Sequence, residues 1–343
     1  MQSSLKQIVQ PLVEWFEKNK RDLSWRQDRD PYHVWISEIM LQQTRIEAVI
    51  RYYARFMDAL PDVESLAAVD DDALMKLWEG LGYYSRARNL KKAAQKIMSD
   101  FGGRFPNTYA DIITLPGIGE YTAGAIASIC FDEAVPAVDG NVLRVITRVT
   151  ADKANVLLPE TKKRITAMLK EIMPPQSGAF NEGLMELGET VCLPNGAPSC
   201  KSCPIRQYCA AYRENLTDVI PVRVKALKRR STDKTVFLIR TADGRIAIEK
   251  RPDKGLLSGL YQLPNIDGYY SEKELYNILN GWNLRVTQLS HLKDAKHVFT
   301  HIDWFMKGVS VTVEAPNDRF LWVTEDELKS TYPLPTAFQK LLK

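Results

Sequence analysis

Four cysteines, Cys192, Cys200, Cys203 and Cys209, fall within eighteen residues of a 343-residue chain, while the fifth, Cys130, stands alone in an apolar segment. Crowding of this kind reads as metal ligation in a reducing compartment rather than as a disulfide framework. The spacing is Cys-x7-Cys-x2-Cys-x5-Cys with Pro204 directly after the third cysteine. Four thiolates suit either a tetrahedral zinc ion or a 4Fe–4S cluster, and spacing does not choose between them.

The cysteine run also divides the chain by character. Before it, segments such as ESLAAVDDDALMKLWEGL, SRARNLKKAAQKIMSDF and ETKKRITAMLKEIM carry apolar residues every three or four positions, which predicts helices. Gly102-Gly103, Pro116-Gly117-Ile118-Gly119, Asp139-Gly140-Asn141 and Pro174-Pro175 break them into a compact bundle. After the run, residues 217–230 form a basic stretch with little sign of a core-facing stripe, the expected linker. From residue 231 the pattern turns mixed: TVFLIR, an Ala242-Asp243-Gly244 turn and RIAIEKR read as a hairpin. GVSVTVEA and RFLWVT read as further strands, and EKELYNILNGW and AFQKLLK as helices.

A 45% hydrophobic composition over this length can bury two cores without disulfides. The balance of 46 Lys and Arg against 42 Asp and Glu leaves +4, which permits a polyanionic partner without naming one. The amphipathic first twenty residues have no apolar signal core, and nowhere do eighteen apolar residues run together, so a soluble cytoplasmic protein without a membrane partner is expected.

Two carboxylates are candidates for chemistry. Asp30-Pro31 is a helix start, and Glu38 follows inside YHVWISEIMLQQTR among Ile36, Ile39, Met40 and Leu41. Poor solvation there would raise its pKa and let it donate a proton near neutrality. Taken alone, a helical Glu is most often a solvated surface residue. Asp139, in AVPAVDGNVLRVITR, is at least the N-cap of the next helix, with Asn141 placed to orient it. Together the pair has the composition needed for glycosidic cleavage: an acid for the leaving group and an anion for the oxocarbenium-like sugar. Between them, YADIITLPGIGEYTAGAIASIC reads helix, tight turn, helix, with Gly117 and Gly119 letting backbone amides approach a phosphate.

WISEIMLQQT, GLGYYSRARNL, LPGIGEYTAGAIAS, AVDGNVLRV and the four-cysteine run, in this order, resemble the adenine DNA glycosylase (MutY) family of the helix-hairpin-helix glycosylase superfamily. The likeness is dense over residues 1–216 and looser beyond. It implies a multidomain α + α/β fold: an all-helical helix-hairpin-helix glycosylase domain with a 4Fe–4S cluster loop at 192–209, then a Nudix-like α/β domain over 231–343. The family pattern has six residues between the first two cysteines, and here LPNGAPS makes seven. The Asn-Gly loop can bulge to absorb the difference, with Lys201 and Arg206 placed for DNA phosphates.

The same resemblance assigns roles. Glu38 becomes the acid that protonates N7 of adenine, and Asp139, helped by Asn141, the group that stabilises the C1′ cation, electrostatically or through a transient sugar ester. Tyr121 stands where lyase members carry a nucleophilic lysine, which implies a monofunctional enzyme. Trp25, Arg26, Leu41 and Glu182 resemble residues around an extruded adenine. Gln43, Thr44, Leu81 and Tyr83 resemble residues that enter the duplex beside 8-oxoguanine, with Gln42 alongside.

In the second domain, EKELYNILNGW lacks the glutamate-rich metal helix of a working Nudix pyrophosphatase, so recognition without hydrolysis is implied. His297, Phe299, Thr300 and His301 resemble the lesion-contacting loop, Thr300 standing where family members often carry serine. The implied partner is double-stranded DNA with an adenine:8-oxoguanine or adenine:guanine mispair, met by a monomer. The terminal PLPTAFQKLLK is expected to dock as a short helix, a replication-clamp contact being its other reading. Alternatives are a bifunctional endonuclease III-like glycosylase/lyase and a non-catalytic iron–sulfur DNA-binding sensor.

Overall fold

The computed structural model describes residues 5–224, 230–252, 254–299 and 301–342. Thr300 and residues 225–229 of the expected linker lie outside them. The chain divides into two compact units, one made of Met1–Ala68 and Asn89–Ala226, the other of Val69–Arg88 and Leu227–Lys343. Among the described residues no helix is long and apolar enough to cross a membrane.

The first unit is helical, and five of its helices wall the site: α1 (Val9–Asn19), α2 (Pro31–Leu41), α3 (Glu120–Phe131), α4 (Gly140–Val149) and α5 (Ser177–Thr190). The start of α2 is set by Asp30, whose side chain accepts from the Tyr32 amide at 2.8 Å, with Pro31 pre-shaped for the first turn. Eight of the nine residues from Tyr32 through Met40, all but His33, are buried on this helix, so it is a core element and not a surface one. It packs on α3, while α5 packs against α1, α3 and α4. The turn before α3 needs Gly117: its φ is +79°, and a Cβ there would lie 2.5 Å from Asn89 Cβ.

Two expectations are revised. ESLAAVDDDALMKLWEGL is not one helix but two, Val63–Ala68 and Asp71–Leu77, because Asp70 accepts from the amides of Asp72 and Ala73 and starts the helix anew. The second of these belongs to the other compact unit. The first part of the expected linker is also tied down: Ile220 is buried, its carbonyl accepts from Arg148 Nε at 2.7 Å, and Val222 pairs with Asn155. Burial of one apolar side chain outweighed the basic character of its neighbours.

The second unit is built on an eight-stranded sheet, in which β1 (Arg230–Thr241), β2 (Ile246–Lys250), β3 (Tyr261–Gln262), β5 (Val286–His291) and β7 (Ile302–Val313) run in the order β3-β2-β1-β7-β5. Beside that path β4 (Asn265–Asp267) pairs with β1, β6 (Ala295–Val298) with β7, and β8 (Leu321–Val323) with β2. The expected hairpin is β1–β2, with Arg240 opposite Ile246. Its central partner is unexpected: β1 runs parallel to β7 from Arg230 opposite Ile302 to Thr241 opposite Val313. Val236 and Leu238 face one apolar cluster and Phe237 and Ile239 another, so both faces are covered and the strand reads as a continuous apolar run. Helix Glu272–Gly281 starts at a Ser271/Glu274 capping box and buries Leu275 and Leu279 in the second cluster. The terminal helix Thr336–Gln339 is docked, with Ala337, Phe338 and Leu341 buried in the first.

Candidate active site and cysteine loop

The helical unit holds a cleft of about 1220 Å³ lined by Glu38, Tyr121, Asp139, Glu182, Arg26 and Trp25 among others. Glu38 sits on the inner face of α2 and is 8% exposed. The Tyr121 hydroxyl, from the first turn of α3, donates to Glu38 Oε2 at 2.6 Å and lies 3.1 Å from Met185 Sδ. Burial pushes the Glu38 carboxyl up to about 7, the charges of Asp139 and Glu182 add to the rise, and the Tyr121 hydrogen bond and Arg26 oppose it. Burial likewise holds Tyr121 well above the usual phenol range, so it is a fixed donor rather than a base.

Asp139 is the N-cap of α4, its Oδ1 accepting from the Val142 amide at 2.7 Å. The other oxygen accepts from Asn141 Nδ2 at 2.9 Å. Burial raises the Asp139 pKa, and these hydrogen bonds and Arg144 pull against it. The chain of contacts continues: Arg144 Nη2 donates to Asn141 Oδ1 at 2.6 Å, and Arg144 Nε to the Cys192 carbonyl at 2.7 Å. Asn141 can lie this close to α5 because residue 188 is glycine; a Cβ there would sit 2.6 Å from Asn141 Cβ. Burial raises both carboxyls, but Asp139 has the Val142 and Asn141 donors and Arg144 set against that rise, whereas Glu38 has the Tyr121 hydroxyl and Arg26.

Arg26 pairs with Glu182 at 2.8 Å and with Glu186 at 3.0 Å, and Glu186 also takes Arg21 at 2.5 Å. Trp25 is buried edge-on to Tyr53, their centroids 5.2 Å apart. Leu41, Gln42, Gln43 and Thr44 line the rim of the same cleft, where α2 ends and Gln43 turns to φ +60°. Gly119 caps α3 with open space where its Cβ would be, so this helix start is sterically accessible to a ligand.

The cysteines lie apart from that cleft but in the same unit. All four thiols are free of disulfides and line one small cavity of about 30 Å³ together with Arg148. Arg148 Nη1 donates to Cys192 Sγ at 3.2 Å. Among the described residues no three His, Cys, Asp or Glu side chains converge as for a single metal ion. Four free thiols on a common cavity with a guanidinium donor form a set that suits an iron–sulfur cluster. Lys201 and Arg206 on this loop are exposed.

Leu81, Tyr83, Phe299 and His301 belong to the second unit. Of the first two, Tyr83 is 45% exposed and Leu81 only 7%, so Tyr83 is the side chain offered to solvent. Phe299 packs on His297 and Trp304, with centroids 4.5 and 4.9 Å away, and His301 is exposed. Sequence reasoning missed Arg21, Glu186, Arg144 and Met185. Only the four-residue spacing of Glu182 and Glu186 on one helix gave any hint of them.

Residues 36–175 match the family described as HhH-GPD superfamily base excision DNA repair protein, and residues 235–343 match the NUDIX domain. An adenine DNA glycosylase of Rattus norvegicus is 34% identical, the alignment covering 97% of this chain and 76% of the rat protein. An adenine DNA glycosylase of Buchnera aphidicola is 36% identical, with 97% of each chain covered. Among solved structures, a thermostable thymine-DNA glycosylase is 28% identical with a TM-score of 0.56, covering 62% of this chain and 98% of that one.

Proposed function

The chain belongs to the adenine DNA glycosylase family, DNA N-glycosylases of base excision repair, and from that premise we propose that it hydrolyses adenine mispaired with 8-oxoguanine or guanine and leaves an abasic site. Glu38 and Asp139 are the reacting carboxylates. The observation that carries this reading is the placement of Glu38, 8% exposed and with its carboxyl pushed by that burial up to about 7, on the same cleft as Asp139, which accepts from Asn141 and the Val142 amide.

The extruded adenine enters between Trp25, Arg26, Leu41 and Glu182. Glu38 gives its proton to N7, so the base leaves neutral rather than as an anion. As the N9–C1′ bond breaks, the electron pair goes to the base and positive charge builds on the sugar, where the Asp139 carboxylate opposes it. Water then bonds to C1′, its hydroxyl staying on the sugar and its proton returning to the Glu38 carboxylate. Tyr121 holds Glu38 in place and offers no amine for a Schiff base, which favours a monofunctional enzyme over a lyase.

The resemblance to the MutY family implies an iron–sulfur cluster, and Cys192, Cys200, Cys203 and Cys209, four free thiols on one cavity, would hold a 4Fe–4S cluster here. When bound it would cross-link the 192–209 loop, presenting Lys201 and Arg206 to phosphates as Gly117 and Gly119 do at the hairpin. Gln43 and Thr44 of the helical unit, and separately Tyr83, Phe299 and His301 of the second unit, are the side chains that would meet the opposite strand and its 8-oxoguanine.

Duplexes with adenine opposite 8-oxoguanine, incubated with enzyme and analysed with and without hot alkali, test the reading. Strand breakage only after alkali is expected. Breakage without alkali makes the enzyme a lyase, and no breakage in either removes the proposed substrate.

A further inference from the structure

The Gly80–Tyr84 turn reads in sequence as part of the helical half, yet it packs with the Nudix-like fold. Its inner wiring is tight. Trp78, fully buried, donates its Nε1 hydrogen to the Gly82 carbonyl at 3.1 Å, and Arg86 Nη2 donates to the carbonyls of Leu81 and Gly82, both at 3.1 Å. The Arg86 guanidinium stands 5.3 Å from the Trp78 ring and 5.6 Å from that of Tyr83. Gly80, Gly82 and Tyr83 all take positive φ, a conformation that Tyr83 adopts only under constraint.

The outer attachment centres on Glu79. Its Oε1 accepts from the Leu334 amide at 3.0 Å and from Gln339 Nε2 at 2.9 Å, and its Oε2 pairs with Lys76 at 2.7 Å. Lys76 in turn donates to the carbonyls of Leu328 and Tyr332. One turn earlier Asp72 takes Lys250 at 3.0 Å and the Tyr261 hydroxyl at 3.3 Å, and beyond the turn Arg88 donates to Ser258 at 2.7 and 2.8 Å. A rigid turn held at both ends moves with what holds it.

We propose that Glu79 is a positioning residue that fastens the Tyr83 turn to the Nudix-like fold, so that the domain reading 8-oxoguanine also sets the angle at which Tyr83 meets the duplex. The proposal rests on the preceding reading of Tyr83 as a duplex contact. It makes Glu79 act through Tyr83, which a merely structural staple would not.

The test is a double-mutant cycle in the full-length protein, with a duplex holding 2′-fluoro-2′-deoxyadenosine opposite 8-oxoguanine, whose fluorine resists base loss. Glu79→Ala should weaken duplex binding about tenfold in the wild-type background and by less than about twofold when Tyr83 is already alanine. Glu79→Gln, which keeps the Oε1 acceptor, should bind within about threefold of wild type. The rate of adenine release from saturated wild-type substrate should stay within about twofold in Glu79→Ala. Hydrogen exchange without DNA should show residues 78–86 and 332–339 exchanging faster together in Glu79→Ala. Equal losses in both Tyr83 backgrounds, unchanged affinity, or unchanged exchange at 78–86 overturn the proposal. If the wild-type chain releases no adenine, the preceding reading fails while the binding cycle still decides Glu79.

Discussion

The cleft of the helical unit and the sheet of the second unit bury opposite kinds of matter. The cleft is lined by the charged Glu38, Asp139, Glu182, Glu186, Arg21 and Arg26, of which Glu38 and Glu186 are nearly inaccessible to water. Within the sheet, Phe237, Ile239, Ala247 and Ile248 are wholly buried among apolar neighbours, and among the described residues the one buried charge there, Lys234 within β1, is paired with the exposed Asp267 at the end of β4. Desolvated charge costs stability, and apolar burial supplies it. The contrast teaches that cleft substitutions should register as lost rate with little lost stability, and sheet substitutions the reverse.

The largest effect expected is at Glu38. Glu38→Gln removes the proton while keeping size and the Tyr121 contact, so single-turnover adenine release should fall by roughly 10²–10⁴-fold with duplex affinity retained. Near wild-type release would break the contrast at its centre. Phe338→Ala is the counterpart in the second unit, where a fully buried ring in the sheet core is lost. It should cost about 3–5 kcal/mol in denaturant unfolding and leave the saturated rate close to wild type. A rate loss exceeding the stability loss would show that the two regions are not separable in this way.

Asp139→Asn sharpens the comparison within the cleft, because Asn caps a helix about as well as Asp. Thermal unfolding should barely change while release falls by roughly 10²–10³-fold. Equal rates would reduce Asp139 to its capping role. The smallest effect is at Tyr121. Removing its hydroxyl takes away a donor that lowers the Glu38 pKa, so Tyr121→Phe should move the alkaline limb of the pH–rate profile above the wild-type position near 7. The sign follows from the acid form being the active one: release is fastest below the pKa and declines as pH rises through it. A limb displaced toward acid would contradict the assigned hydrogen bond.

Much of the site was legible because its signals are local. Asp30-Pro31 announced the helix that buries Glu38, Pro116-Gly117-Ile118-Gly119 announced a turn that backbone strain reserves for glycine, and Asp139 could be read as a cap from the residues that follow it. What escaped depends on distance along the chain. Arg144 meets the Cys192 carbonyl across 48 residues and Arg21 meets Glu186 across 165, and no window of sequence contains both partners. The same limit hid the parallel pairing of β1 with β7, and it hid the allegiance of residues 69–88. Helical periodicity there is correct, but it does not say which core the helix joins.

The central claim is that Glu38 holds a proton at neutral pH because burial withholds water from its charge. Carbon-13 NMR of the protein labelled at glutamate carboxyl groups, with Glu38→Gln identifying the signal by its loss, follows that proton directly. The account predicts that the identified carboxyl titrates near pH 7. Titration near the ordinary glutamate value of about 4.3 would leave the group ionised at neutrality and contradict it.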